Sequence, residues 1–268
     1  MSDAAGLLLV LLLLLVMLVL IIVCSDGILF GRDTMLRARK VLARDCTSKN
    51  GPCLMDMHTG NDDSPGRESV DAITYLNNWA FVDSLWIGEG FTYTSLPVFW
   101  LFEISGQAFG LFSDMLGPPN EYRGMLFGST GRPGCAFPAP IWNFWDSFKI
   151  EESDMSGFWQ PDTPVKVHDQ VDIFVNDANA ILATSYVVPV KRTLIAIGSW
   201  AAANTTVTLD VDWKVIGCAA SAAGMTMKAP AIAGFQPAKD YGAVTQGGAL
   251  PPILVEPAKG GLYVLQCE

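Results

Sequence analysis

The sequence predicts an α/β chain that passes into an all-β end: about four consecutive β/α units, then a small antiparallel β-sandwich. Three observations predict it. Short apolar runs stop abruptly at Asp26, Asp56, Glu89 and Gly128, and each is followed by a segment of helical pattern. From Trp159 onward the grammar changes: Pro161, Asp162 and Pro164 mark a boundary, and strand-like runs recur at short intervals. Within those runs Thr206, Thr208, Asp210 and Asp212 alternate with Val207, Leu209, Val211 and Trp213, the period of a half-buried strand. The expected divisions are an apolar N-terminal segment over residues 1–24, the β/α part over 25–160 and the sandwich over 161–268.

Leu7 to Cys24 is almost wholly Leu, Val and Ile. At 1.5 Å per residue this run reaches about 27 Å, close to the hydrocarbon thickness of a bilayer. Met1 to Gly6 carries no Lys or Arg, unlike the n-region of a cleaved signal peptide. The run therefore reads as a transmembrane span or uncleaved signal anchor, which places the chain in a membrane or the secretory pathway. Arg32, Arg37, Arg39, Lys40 and Arg44 follow it, and the positive-inside rule would keep the rest cytoplasmic. That opposes a secreted chain, so the orientation stays open. The same stretch also reads as a buried parallel strand from Val19 with Asp26 at its carboxyl tip, because strands covered on both faces are continuously apolar.

Arg32 to Arg44 reads as a helix, capped by Asp33 or Thr34, with Met35, Leu36, Val41 and Leu42 as its apolar stripe and Arg37, Arg39, Lys40 and Arg44 as its solvated face. Cys53 to His58 is a short strand, followed by a turn-rich loop to Gly66. Strand side chains alternate, so Asp56 and His58 point the same way, with Asn61 close behind. The trio fits polar ligand binding or proton transfer, or equally an Asp–His bond that braces the loop. Glu68 to Trp79 has helical spacing and leads into the strand from Phe81. That strand stops at Gly88-Glu89-Gly90, a carboxylate between two glycines ringed by Trp86, Phe91 and Tyr93. Barrel enzymes place their chemistry just past strand ends, and aromatic faces suit sugar rings. The alternative is a buried turn with Glu89 ion-paired to an arginine.

Pro97 to Leu116 is strongly apolar and reads as one helix or two short ones, ended by Gly117-Pro118-Pro119. Glu103 within it needs a partner or a cleft. Arg123 to Arg132 reads as the next strand and glycine-rich turn, without the Gly-Lys-Ser/Thr of a phosphate loop. Ile141 to Phe148 reads as its covering helix. The sandwich strands are then Val171–Val175, Ala180–Val188, Thr193–Trp200, Thr205–Trp213, Pro252–Val255 and Leu262–Gln266, with turns at Asn179-Ala180, Lys191-Arg192 and Lys259-Gly260-Gly261.

Composition narrows the function. The 268 residues are 50% hydrophobic and only 16% charged, with a formal net charge of -10. An acidic chain without a basic cluster excludes nucleic acid as a partner, because phosphates demand a Lys/Arg surface. Eight tryptophans and fourteen phenylalanines fit a carbohydrate surface or, more commonly, an aromatic core. The six cysteines include no CxxC pair and there are two histidines, so no metal site and no cofactor is expected. Cys46 and Cys53 flank a polar loop and either close it as a disulfide in an oxidising compartment or remain thiols. Asn204-Thr205-Thr206 is a glycosylation sequon, relevant if the chain enters the secretory path.

Taken together, Asp26-Gly27, Arg32 to Lys40, Asp56 to Asn61, Phe81 to Phe91, Glu103 to Gly106 and Arg123 to Gly128 resemble the carboxyl half of large glycoside hydrolases similar to family 123. Lys259 to Leu265 resembles the closing strand of their sandwich. The resemblance covers Asp26 to the C-terminus and implies a (β/α)8 barrel followed by a β-sandwich, a carbohydrate substrate and O-glycosyl hydrolysis. The family's earlier barrel strands and N-terminal sandwich have no counterpart here. The expected fold is thus α/β plus β, a partial (β/α)8 barrel followed by a small antiparallel β-sandwich. Four units leave two unpaired edges and an uncovered apolar face. The chain is then a shortened form, or pairs with another copy, or is a degenerate protein anchored in a membrane.

Glycosidic hydrolysis needs a general acid and a second carboxylate or a substrate acetamido group. The expected acid is Glu89, whose aromatic surroundings would raise its pKa. Asp56 or Asp26 is the expected partner carboxylate, His58, Asn61 and Arg123 bind hydroxyls, and Trp86 and Tyr93 stack on the sugar. The rival expectation is a non-catalytic, membrane-anchored carbohydrate-binding protein.

Overall fold

The computed structural model describes residues 32–44, 46, 53–58, 78–87, 93–116, 119–134, 136–169, 177, 179–219 and 224–268. The apolar run Leu7 to Cys24, the strand ending at Asp26, most of the helix expected from Glu68 and the strand Val171–Val175 lie outside them. Among the described residues no helix is long and apolar enough to cross a membrane. The chain divides into two compact units, Met1–Met57 with Asp71–Ser84, and His58–Val70 with Leu85–Glu268.

In the first unit, residues 32–44 form the expected helix α1. Asp33 and Thr34 lie within the helix rather than before it. On the expected solvated face Arg37, Lys40 and Arg44 are exposed, while Arg39 is partly covered by an ion pair. Its guanidinium grips the Asp83 carboxylate through both nitrogens, Nη2 to Oδ1 at 2.8 Å. The Asp83 side chain also accepts from the Met55 amide, and the two residues' backbones pair, each bond at 2.7 Å. The hydrogen bonds from Arg39, helped by the Met55 amide and the guanidinium charge and opposed by burial, hold the Asp83 carboxyl below the usual carboxylate range. Cys46 and Cys53 are joined as a disulfide, Cα atoms 5.8 Å apart, which decides between the two readings of that loop.

A three-stranded sheet has the order β1 (Asp56–His58), β2 (Ser84–Ile87), β3 (Phe112–Met115). The central strand starts later than the apolar run from Phe81, whose first residues form a turn. In the second unit the stretch from Pro97 departs from the all-helical expectation. A short helix α2 (Pro97–Phe99) continues as a π-helical turn over Trp100–Ile104, and a 3-10 turn spans Gln107–Phe109. The remainder is strand β3. Gly106 and Gly110, both at positive φ, stop the helical path on either side of that turn. Beyond them Phe112 and Asp114 alternate with buried Ser113 and Met115, a period of two hidden inside a run that looked uniformly apolar.

The run from Arg123 is a second correction. It opens not as a strand but as helix α3 (Glu121–Gly124), capped by the Asn120 side chain accepting from Arg123 N at 3.1 Å, and passes into a 3-10 turn over Met125–Phe127. Its end alone is sheet-like, where Gly131 makes a parallel bridge to Met115. Helix α4 (Ala139–Phe148) follows as expected.

The C-terminal part is a six-stranded antiparallel sheet in the order β11-β10-β13-β7-β6-β4, formed by β4 (Asp154–Ser156), β6 (Ile181–Val188), β7 (Arg192–Ser199), β10 (Met225–Ala229), β11 (Lys239–Val244) and β13 (Gly260–Cys267). Two-stranded pairs β5 (Val165–Val167) with β9 (Leu209–Val211), and β8 (Thr205–Val207) with β12 (Ile253–Val255), form the second layer with helix α5 (Trp213–Ile216). Strand β4 pairs with β6 although it precedes the proline-marked boundary, and β4, β5, β10 and β11 were not expected. On one face of the large sheet Ala183, Ile195, Ile197 and Met227 pack against Val167, Val207, Leu209 and Ile253. On the other, Tyr186, Leu194, Ala196 and Leu262 pack against Met125, Ile141 and Phe148. All eight residues of β6 are consequently buried, which accounts for its unbroken apolar reading. Gly198 permits the close approach of α3 and the turn after it, because a Cβ there would stand 3.0 Å from Tyr122 O and 2.7 Å from Leu126 Cδ1.

A second disulfide, absent from the sequence reading, joins Cys218 to Cys267 across a separation of 49 residues. Constraining a loop of that size in the unfolded chain contributes about 4 kcal/mol in the chain-entropy treatment. The double variant Cys218→Ala with Cys267→Ala should lower the unfolding free energy by roughly 2–4 kcal/mol. Urea denaturation of both proteins checks this, and superimposable curves would show that the bridge does not constrain the unfolded chain.

Candidate active site

Strand β2 sets the geometry in the second unit. Leu85 and Ile87 are buried, whereas Trp86 is half-buried and faces the other way. Strand β3 alternates likewise: Ser113 and Met115 turn inward, the Ser113 hydroxyl donating to Ile104 O, while Phe112 and Asp114 face outward. The Arg132 guanidinium lies over the Trp86 ring and 3.6 Å from Asp114 Oδ2. The His58 ring is tilted toward Trp86 with centroids 6.2 Å apart. A cation over an indole face is attracted by the ring quadrupole, and Asp114 directs the same guanidinium.

Arg132 is aimed by its backbone. Met115 N donates to Thr130 O and Arg132 N to Met115 O, both at 2.9 Å. The Glu121 carboxylate accepts from Gly131 N through both oxygens, at 3.0 and 3.1 Å, and Trp142 Nε1 donates to Thr130 Oγ1 at 3.1 Å. Residues 130–132 are therefore held from three sides. Burial, opposed by the Gly131 bond and helped by the Asp114 charge, pushes the Glu121 carboxyl up to about 7. A carboxyl that titrates near neutrality suits proton transfer, although this one is committed to a backbone amide.

The expected site residues are distributed unevenly. His58 is exposed and meets half-buried Trp86. Asp56, in the first unit, is exposed and accepts from the Ser84 hydroxyl at 2.8 Å. Tyr93 does not offer a stacking face: it is wholly buried, its hydroxyl donates to Ile87 O and Leu116 O, and its ring packs against Trp100. Arg123 is likewise no hydroxyl binder at the surface. It is buried, donates to Ser199 O at 3.0 Å and Tyr93 O at 2.5 Å, and lies over Trp200. Asp26, Asn61 and Glu89 lie outside the described residues. Sequence reasoning missed Arg132, Asp114 and Glu121. Asp114 had a signal, an acid among apolar residues, but a helical reading of that stretch gave it no direction. Glu121 after Gly117-Pro118-Pro119-Asn120 had none.

Residues 15–134 match the family described as Glycoside hydrolase 123, TIM-barrel domain, and residues 137–266 match Glycoside hydrolase 123, C-terminal domain. No curated protein matches the chain. Among solved structures, the chain is similar to a GH27 β-L-arabinopyranosidase from Geobacillus stearothermophilus in complex with arabinose, with a TM-score of 0.43 and 13% identity. The match covers 88% of this chain and 54% of that one, so the chain spans about half the length of the structure it matches. Among the described residues the strands of the TIM-barrel domain do not form a closed barrel.

The ordinary glutamate value is 4.5, so between that pH and about 7 the native chain retains a proton on Glu121 that the unfolded chain has released. The resulting stability is complete below the ordinary value and is lost as pH rises through 7, by up to roughly 3 kcal/mol. Glu121→Gln, neutral at every pH, should flatten this dependence. Tm measured from pH 5 to pH 8 should fall more steeply in the wild type, and parallel curves would refute the assignment.

Proposed function

The chain belongs to the glycoside hydrolase 123 family, and from that premise we propose that it binds a carbohydrate and cleaves an O-glycosidic bond at the carboxyl ends of β1 to β3. The observation that carries this reading is the grouping of His58, Trp86, Asp114 and Arg132, an aromatic face with charged groups around it, on a strand whose sequence continues as Gly88-Glu89-Gly90. Strand ends of barrel domains are where such chemistry resides.

In this mechanism Glu89 protonates the leaving oxygen, and Asp56 or Asp26 acts as the second carboxylate unless a substrate acetamido group takes that part. His58 and Asn61 bind hydroxyls, and Trp86 supplies an apolar edge for the ring. Arg132 and Asp114 join the site. Tyr93 and Arg123 support it from beneath instead of touching substrate. The barrel part of the chain is read as partial, about four β/α units. A non-catalytic, carbohydrate-binding protein is the second reading, favoured by the open arrangement of the described barrel strands.

Chromogenic glycosides distinguish the readings. Turnover by the wild type and a loss of at least about 100-fold in Glu89→Gln, the usual span of general acid catalysis, is the expected result. Equal activity in both removes Glu89 from the mechanism. Glycan binding without any turnover establishes the second reading.

A further inference from the structure

We infer that Asn204 carries an N-linked glycan and that the chain matures in an oxidising secretory compartment. Asn204-Thr205-Thr206 is the single Asn-X-Ser/Thr sequence in the chain, and its middle residue is not proline. A sequon by itself states nothing about access or compartment. The fold speaks to both.

Asn204 is exposed, as are Ala202 and Ala203 before it, in the connection that follows β7. Strand β8 begins one residue later, pairing Thr205–Val207 with Ile253–Val255, so Asn204 stands outside the ladder. Thr206, the residue whose hydroxyl completes the acceptor sequence, is exposed, while Val207 turns into the core. The Thr205 hydroxyl donates to Ala203 O at 3.1 Å, which shapes the connection without engaging the Asn204 amide. A bulky polar group at this position displaces no buried side chain and no backbone bond.

The compartment follows from the cysteines. Cys46 with Cys53 and Cys218 with Cys267 form two disulfides in separate regions of the chain. Such bridges persist in the secretory lumen and are rare where thiols are kept reduced. The co-reactant is an oligosaccharide linked through pyrophosphate to a lipid, supplied by the host's transferase. The Asn204 Nδ2 forms a bond to the sugar C1, the bond from C1 to the pyrophosphate oxygen breaks, and the amide proton leaves with the lipid pyrophosphate.

The full chain expressed in mammalian cells should move faster on a gel after peptide-N-glycosidase digestion, with mass spectrometry locating the deamidated position at Asn204. Asn204→Gln and, separately, Thr206→Ala should show no shift. In both variants alkylation should reach Cys46, Cys53, Cys218 and Cys267 only after reduction, which shows that the fold is retained. An unshifted wild type, a shift that persists in Asn204→Gln, or alkylation of those four cysteines without reduction would each overturn the inference.

Discussion

A guanidinium taken out of water must be met by acceptors, and Arg123 finds them in main-chain carbonyls. It donates to Tyr93 O and to Ser199 O and lies 4.6 Å from the centre of the Trp200 ring. Five donors in a rigid fork suit this task in a way a lysine ammonium does not. The bonds tie α3 both to the segment following β2 and to the end of β7. Carbonyls at the end of the helical segment are then satisfied from outside: Met125 O by the Tyr186 hydroxyl at 2.9 Å, Leu126 O by Thr184 at 2.8 Å and Phe127 O by Gln107 Nε2 at 2.9 Å. Helix ends leave such groups without intrahelical partners. Buried here, they receive them from a strand of the large sheet and from the turn before β3.

That junction also orders the aromatic interior. Trp100 stacks on Phe127 with centroids 5.8 Å apart and meets Trp200 edge-on at 6.2 Å, while Phe127 stacks in turn on Trp159 at 5.4 Å. Offset and edge-to-face contacts of this kind add to the area they bury. Much of the aromatic enrichment therefore serves packing between the sheet and the elements beside it, and Trp86 is the tryptophan that the strand alternation turns toward the candidate site. The site inherits its rigidity from the same region, because Glu121 of α3 holds the backbone that aims Arg132.

Element existence was legible where periodicity or continuity was strong. The helix over 32–44, α4, and the strands β6, β7, β12 and β13 stand close to their expected positions. Short elements were not. Strand β3 hid in an apolar run because its period of two spans only four residues, and α3 hid because its cap, Asn120, follows two prolines that suggested a turn. Strand β11 lies at a sheet edge and carries few apolar residues, so its pattern is nearly that of a loop.

The amino-acid order by itself determined the helix over residues 32–44, helix α4, the long strands of the C-terminal sheet, the resemblance to family 123 and the chemical types available near β1 and β2. Those follow from local spacing, which a reader of one chain can see. Only the tertiary structure decided which polar residues are buried as braces and which face outward. Tyr93 and Arg123 have the composition of ligand-binding residues, yet their surroundings spend their donors on carbonyls far away in sequence. Arg132 and Glu121 drew no notice in the sequence and became neighbours of the site through the bridge between Gly131 and Met115. The reason is physical: burial, and the partner found there, depends on contacts between residues tens of positions apart, and no local pattern encodes them.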